Sequence, residues 1–253
     1  MSAAERMTLL DALVAAGINP SRMMPGTGCC SITETVALTA HAVKHNCAGV
    51  LMLPPFYYKD ISEEGFYRYF SEVVQRVGDT RLKIYLYHIP TVAIVGIATR
   101  LVERLRKAYP NAIAGMKDSS GDWKNTKIFL DTFASDGFDV FVGSESFLLA
   151  NMRNGGVGTI SATANVNPAA IHELYAADRR PDLQDLQTRL NLVRQVFSNR
   201  KFPSMIAALK QAIAIYRNDQ EWARVRPPLV ELTTEQAKLL AAELKRIRFA
   251  IEL

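Results

Sequence analysis

Apolar positions along the chain keep two rhythms that take turns. Short runs, apolar at nearly every position, give way to segments in which apolar residues recur every three or four positions. Arg22-Met23-Met24-Pro25 leads into a helical pattern near 31–46, and Gly49-Val50-Leu51-Met52-Leu53 into one near 63–77. Lys83-Ile84-Tyr85-Leu86-Tyr87 precedes a pattern near 97–108, and Ala112-Ile113-Ala114-Gly115-Met116-Lys117 precedes one near 123–133. Asp139-Val140-Phe141-Val142 and Gly156-Val157-Gly158-Thr159-Ile160 are followed by patterns near 145–153 and 168–177. Three further helical patterns, near 183–199, 203–217 and 233–250, have no strand between them. Runs that are apolar on both faces suit parallel strands covered by helices. Six such strand–helix exchanges predict an α/β protein with a parallel sheet, either open or closed into a barrel. Ser2-Ala3-Ala4-Glu5, Ser31-Ile32-Thr33-Glu34 and Thr233-Thr234-Glu235-Gln236 fit the capping box, in which a hydroxyl and a side-chain acceptor satisfy helix N–H groups reciprocally. No linker interrupts the pattern, so one domain is expected, with a barrel part at 1–180 and a helical extension at 181–253.

Composition narrows the class. Hydrophobic residues make up 49% and charged residues 22% of 253, the proportions of a globular protein and not of a disordered one. Thirty Lys+Arg against 25 Asp+Glu leave a net charge of +5, but the cations are interleaved with acids, as in Glu103-Arg104-Leu105-Arg106-Lys107. The densest basic stretch, Lys245-Arg246-Ile247-Arg248, lies on a helical pattern and reads as a solvated face, so no nucleic-acid partner is expected. No run reaches the roughly 18 apolar residues of a membrane span, and the first residues do not read as a signal peptide. The expectation is a cytoplasmic protein with no membrane partner. Three cysteines, Cys29, Cys30 and Cys47, without a CxxC spacing argue against a disulfide framework and against a zinc site. His41, His45 and His172 fall in helical patterns, where no chemistry is assigned to them, and no metal is expected.

Catalytic groups of a parallel barrel stand at the C-terminal ends of its strands. Lys117 closes the apolar strand Ile113-Ala114-Gly115-Met116, where an aliphatic residue would be ordinary. Stripped of hydration there, a lysine favours its neutral, nucleophilic amine, which forms a Schiff base with a ketone. Position alone is equally compatible with a rim lysine that snorkels to solvent. Tyr87 ends the preceding strand, where a phenol can sit beside the amine and shuttle protons, or merely fill the core. His88 would alternate to the opposite face. Gly26-Thr27-Gly28 lacks the lysine and glycine spacing of a phosphate loop.

These residues carry a resemblance. Tyr85-Leu86-Tyr87-His88-Ile89-Pro90, Gly115-Met116-Lys117-Asp118-Ser119-Ser120-Gly121-Asp122 and Gly158-Thr159-Ile160-Ser161-Ala162-Thr163-Ala164-Asn165-Val166 resemble the dihydrodipicolinate synthase/N-acetylneuraminate lyase family. Pro25-Gly26-Thr27-Gly28 and Pro55-Phe56-Tyr57-Tyr58 agree in order and spacing, so the likeness runs over essentially the whole chain. It implies a TIM-type (β/α)8 barrel with three extra C-terminal helices. It also implies a class I mechanism, in which Lys117 forms an imine with pyruvate or another 2-oxo acid and Tyr87 transfers protons. The backbone around Ile160 would help hold the 2-oxo acid, and Ser119, Glu145 and Ser161 would face the variable end of the substrate. Tyr58 matches an aromatic that reaches into a neighbouring subunit's site, which implies a homo-oligomer, a tetramer. No metal or organic cofactor is implied.

The chain departs from the family pattern in two places. Members begin with two strands, the second ending in a Gly-Thr-Thr-Gly-Glu type loop that binds the carboxylate of the 2-oxo acid, whereas this chain opens on a helix cap. The expectation is a barrel lacking its first two strands, through a misplaced start or a truncation. The biosynthetic synthases also carry an arginine for the second substrate's carboxylate, and the matching stretch Thr91-Val92-Ala93-Ile94 has none. The leading expectation is therefore a Schiff-base lyase or aldolase acting on a 2-oxo acid other than in the lysine-pathway reaction. A 2-keto-3-deoxy sugar acid dehydratase would use the same lysine. A truncated, non-catalytic remnant is the reading from another class.

Overall fold

The two rhythms of the sequence become alternating strands and helices in a computed structural model that describes residues 1–177 and 180–251. In chain order the elements are α1 (Ala3–Ala15), α2 (Ile32–Lys44), β1 (Val50–Met52), α3 (Glu63–Val77), β2 (Ile84–His88), α4 (Pro90–Ala93), α5 (Thr99–Ala108), β3 (Ile113–Asp118), α6 (Trp123–Phe133) and β4 (Asp139–Val142). There follow α7 (Leu148–Arg153), β5 (Gly158–Thr159), α8 (Pro168–Ala176), α9 (Leu183–Phe197), α10 (Met205–Arg217) and α11 (Thr234–Arg246). The strandless helices predicted at the C-terminus are α9 to α11. Ser2 and Thr233 form complete capping boxes, while at Ser31 only the forward half is made, from Glu34 N–H to Ser31 Oγ at 3.3 Å. No helix among the described residues is long and apolar enough to cross a membrane.

Contacts divide the chain into two compact units, Met1–Phe141 with Asn154–Val157, and Val142–Arg153 with Gly158–Leu253. The first unit carries the sheet in the order β1-β2-β3-β4. β1 runs parallel to β2 and β2 parallel to β3, with Tyr87 opposite Lys117 and His88 opposite Asp118. Val50, Met52, Ile84, Leu86, Ile113, Met116 and Val140 are buried against Phe66, Phe70, Leu101, Leu105 and Phe129 of the helices, as expected of strands covered by apolar helix faces.

The run at Arg22–Pro25 does not become a strand. Pro20 opens a 3-10 turn over Pro20–Arg22, and Pro25 has no N–H to donate to a ladder. What remains is a parallel bridge of Gly26 to Leu51, made by Leu51 N–H to Pro25 O and Thr27 N–H to Leu51 O, both 2.9 Å. Five strands are named among the described residues where the pattern predicts six.

Two glycines show how closely backbone packs here. A Cβ on Gly28 would lie 2.4 Å from Leu53 N, so Gly26-Thr27-Gly28 is a packing device. A Cβ on Gly115 would lie 2.3 Å from Asp139 O and 2.8 Å from the Tyr85 ring. That ring fills the space both glycines of its neighbouring chain segments vacate, since a Cβ on Gly49 would also meet it at 2.7 Å.

In the second unit, β5 is held by Val142 O, which accepts from Thr159 Oγ1 at 2.8 Å and Ile160 N–H at 3.0 Å. Leu148, Leu149, Ile171, Leu174, Leu186 and Leu190 make one core, and Val193, Phe197, Ala208, Ala212, Leu240 and Ile251 contribute to another. α11 stops at Arg246, short of the predicted 250, because the chain turns left-handed at Arg248 (φ 54°).

Candidate active site

β2 and β3 both end in alternating side chains, and alternation decides what each can do. On β2, Ile84, Leu86 and His88 are buried toward the helices, while Tyr85 and Tyr87 occupy the other face. The parallel register then sets Tyr87 beside Lys117. Lys117 is 8% exposed; its Nζ donates to the Tyr87 hydroxyl at 3.2 Å and lies 4.3 Å from the centre of that ring. Among the described residues no carboxylate forms an ion pair with Lys117. The amine is thus enclosed beside a proton-carrying phenol, an arrangement suited to attack on a carbonyl and to proton transfer at the same centre.

Behind this pair, the odd-numbered and even-numbered positions exchange tasks. His88 faces away from Tyr87, as its place in the strand predicts, and its Nδ1 accepts the Ile97 N–H at 2.9 Å. Burial lowers the His88 pKa below its ordinary value, with Asp118 acting in the opposite direction, and the accepted N–H fits a neutral ring. Asp118, 3% exposed, accepts from Ser120 N–H at 2.8 Å, Ser120 Oγ at 3.1 Å, Asn125 Nδ2 at 3.2 Å and Thr126 Oγ1 at 2.5 Å. It clamps the loop between β3 and α6, so the residue next to Lys117 fixes the strand end that presents it. Sequence reasoning passed over Asp118. Its signal was an Asp one residue past the lysine, followed by Ser, Ser and a helix cap at Asp122.

Tyr85 points the same way as Tyr87 and donates to Asp139 Oδ2 at 2.9 Å. Burial first, then the Asp139 carboxylate, push its pKa up to about 12. Ser119 is half-buried, and its N–H donates to His88 O at 2.7 Å, tying the end of β3 to the end of β2. Tyr58 is 71% exposed and packs edge-on against Tyr57 at 5.3 Å. The loop that carries both is pinned by Lys59 Nζ, which donates to Phe56 O at 2.5 Å and Ala93 O at 3.1 Å.

In the second unit, Glu145 and Ser161 come together. Glu145 has no exposed surface; its carboxylate accepts from Ser161 Oγ at 2.5 Å, from Thr163 Oγ1, and from Arg194 at 3.4 Å. Arg194 also donates to Ser161 Oγ at 3.1 Å, and Gln187 Nε2 donates to Glu145 O at 2.9 Å. A buried carboxylate needs this many donors to offset its lost hydration. Thr163, Gln187 and Arg194 were missed because two of them lie on α9, more than forty positions away in sequence. Ile160 is half-buried, and its N–H is committed to Val142 O.

The profile of the Dihydrodipicolinate synthetase family matches residues 1–247. An uncharacterized DapA-like lyase of Chloroflexus aurantiacus is 31% identical over 249 residues, 98% of this chain and 80% of that protein. A 4-hydroxy-tetrahydrodipicolinate synthase of Thermus thermophilus is 43% identical over 150 residues, a match covering 59% of this chain and 48% of the synthase. The crystal structure of dihydrodipicolinate synthase from Agrobacterium tumefaciens superposes with a TM-score of 0.85 at 30% identity, covering 97% of this chain and 82% of that one.

Proposed function

The chain belongs to the dihydrodipicolinate synthetase family, a family of lyases, and from that premise we propose that it makes or breaks a C–C bond of a 2-oxo acid through an imine on Lys117. The observation that carries this reading is the 3.2 Å contact of Lys117 Nζ with the Tyr87 hydroxyl. The neutral amine adds to the C2 carbonyl of pyruvate or a longer 2-oxo acid, giving a carbinolamine. Loss of water, with Tyr87 supplying the proton to the departing hydroxyl, leaves a protonated imine. When the bound acid is longer than pyruvate, that imine accepts the electron pair of the C3–C4 bond as it breaks, the Tyr87 phenolate takes the proton of the C4 hydroxyl, and the aldehyde product leaves. Protonation of the resulting enamine at C3, then hydrolysis, returns pyruvate and free Lys117. Condensation runs the same steps backwards. Asp118 and Ser119 act on this chemistry by holding the strand ends in place.

Ile160, whose N–H is already used, offers its carbonyl to the 2-oxo acid. Ser119 and Ser161 take the variable end of the substrate. Glu145, wholly enclosed, acts on it through the Ser161 hydroxyl that it orients. The exposed Tyr57–Tyr58 pair supports the expectation of a tetramer in which Tyr58 contacts a neighbouring subunit. The three free thiols suit a reducing, cytoplasmic setting. With no arginine between Thr91 and Ile94, aspartate semialdehyde is not the preferred second substrate.

Borohydride reduction in the presence of pyruvate tests the central claim. One reduced pyruvyl adduct should appear on the peptide containing Lys117 and vanish in Lys117→Ala. An adduct that survives that substitution, or none in the folded parent, would overturn the assignment.

A further inference from the structure

Outside the candidate active site, α1 and the C-terminal end of α2 bring three metal-ligating side chains to one point. His41, in the last turn of α2, and His45, its C-cap residue, stand four residues apart, which stacks them on the same face, their rings edge-to-face at 4.8 Å. Both Nε2 atoms reach a single oxygen, Asp11 Oδ1 of α1, at 2.8 Å from His41 and 2.7 Å from His45. A carboxylate oxygen can accept from two donors, but only one of these rings is placed to donate. His45 makes the bond, while the buried His41 Nε2 is left without a hydrogen-bond partner despite its closeness.

We propose that Asp11, His41 and His45 form a binding site for a divalent transition ion of the zinc type, with the fourth position open to water. Two imidazoles and a carboxylate are a borderline-soft donor set, and two histidines on one helix face with an acid are a recurrent three-ligand zinc arrangement. An ion between the donors would use the orphaned His41 nitrogen and replace one hydrogen bond by three directed bonds. The adjustment is small. Tetrahedral Zn–N and Zn–O bonds of about 2.0–2.2 Å set the donors roughly 3.3 Å apart, so the Asp11 oxygen need only draw about half an ångström away from each imidazole nitrogen. Asp11 is half exposed and the two rings are about one-fifth exposed, so an ion can enter from solvent. The site would staple α1 to α2, and Arg6 of α1 also donates to Cys29 Sγ at 3.1 Å in the loop that leads into α2.

The test uses the untagged full chain, stripped with a chelator and titrated with Zn²⁺ alone. Calorimetry should show one equivalent bound, and the melting temperature should climb with free Zn²⁺ because the ion binds the folded chain. Asp11→Asn, an exposed and nearly isosteric change, and His45→Gln should each weaken binding by more than about tenfold. Co²⁺ in place of Zn²⁺ should give visible d–d bands without a thiolate charge-transfer band, which separates this site from the three cysteines. Equal binding by the parent and the Asp11→Asn/His45→Gln double variant, a thiolate band, or no stoichiometric binding would each overturn the proposal.

Discussion

Replacing Gly115 by alanine probes the step from fold to chemistry, because Gly115 and Lys117 share β3. The added Cβ would fall 2.3 Å from Asp139 O, about 1 Å inside ordinary van der Waals contact, and 2.8 Å from both Asp139 Cβ and Tyr85 Cδ1. Two of these three atoms belong to Asp139 of β4, on one side of β3, and the third to Tyr85 of β2, on the other. The Tyr85 ring is tethered through its hydroxyl to Asp139 at 2.9 Å, so it cannot swing away without losing that bond. Overpacking of this kind costs about 1–3 kcal/mol, and the rigid neighbours place Gly115→Ala near the top of that range. At roughly 2–4 °C per kcal/mol for a chain of this size, the melting temperature should fall by about 6–12 °C. Strand separation also moves Lys117, and a displacement of about 1 Å at a reacting group costs on the order of 100-fold in rate. Thermal unfolding followed by circular dichroism, with turnover of a 2-oxo acid measured well below the midpoint, reads both effects. A Gly115→Ala variant that melts within about 2 °C of the parent and keeps its turnover would refute the packing argument and its link to the lysine.

Three further outcomes follow from the same geometry. Tyr87→Phe should keep the borohydride-trapped adduct yet lose about 100- to 10,000-fold in turnover, the usual worth of general acid–base help, and a near-normal rate would reduce Tyr87 to a packing residue. Arg194→Leu removes one charged donor from the enclosed Glu145 carboxylate and should cost about 1.5–3 kcal/mol in denaturant unfolding, with the parent's stability as the contrary result. At alkaline pH, Tyr69 of α3, whose hydroxyl donates to Cys29 O at 2.9 Å, and Tyr85, both raised to about 12 mainly by burial, stay protonated in the folded chain after the unfolded chain has ionised at its ordinary value near 10. Their stabilising contribution is complete below pH 10 and lost as pH climbs toward 12; an unfolding free energy flat across that window would count against it.

Where sequence reasoning succeeded, the information was local. Periodicity placed α2, α3, α6 and α9 within a residue or two of their observed bounds, because each helix hides one stripe of apolar side chains whatever it packs against. The pairing of Lys117 with Tyr87 was also legible, since both end their strands and parallel register does the rest. Proline undid the first strand, a local rule outvoted by the apolar run around it. Contacts set by tertiary approach stayed hidden. Arg194 meets Glu145 across 49 positions, and Asp11 meets His45 across 34, with nothing in the intervening residues to announce it. Histidines on a helical pattern were read as bystanders because a single helix shows only its own face.

Lys117 and Asp118 are neighbours that face opposite sides of β3, one toward the Tyr87 phenol and the other into the clamp of Ser120, Asn125 and Thr126. Loss or gain of one residue between Ile113 and Met116 would exchange those faces, burying the amine in the clamp and turning the carboxylate toward the phenol. Point substitutions along the strand are therefore survivable in degrees, whereas a shift of reading by one residue is all-or-nothing. Laboratory libraries that diversify this lyase by length should find β3 intolerant of every single-residue insertion and deletion.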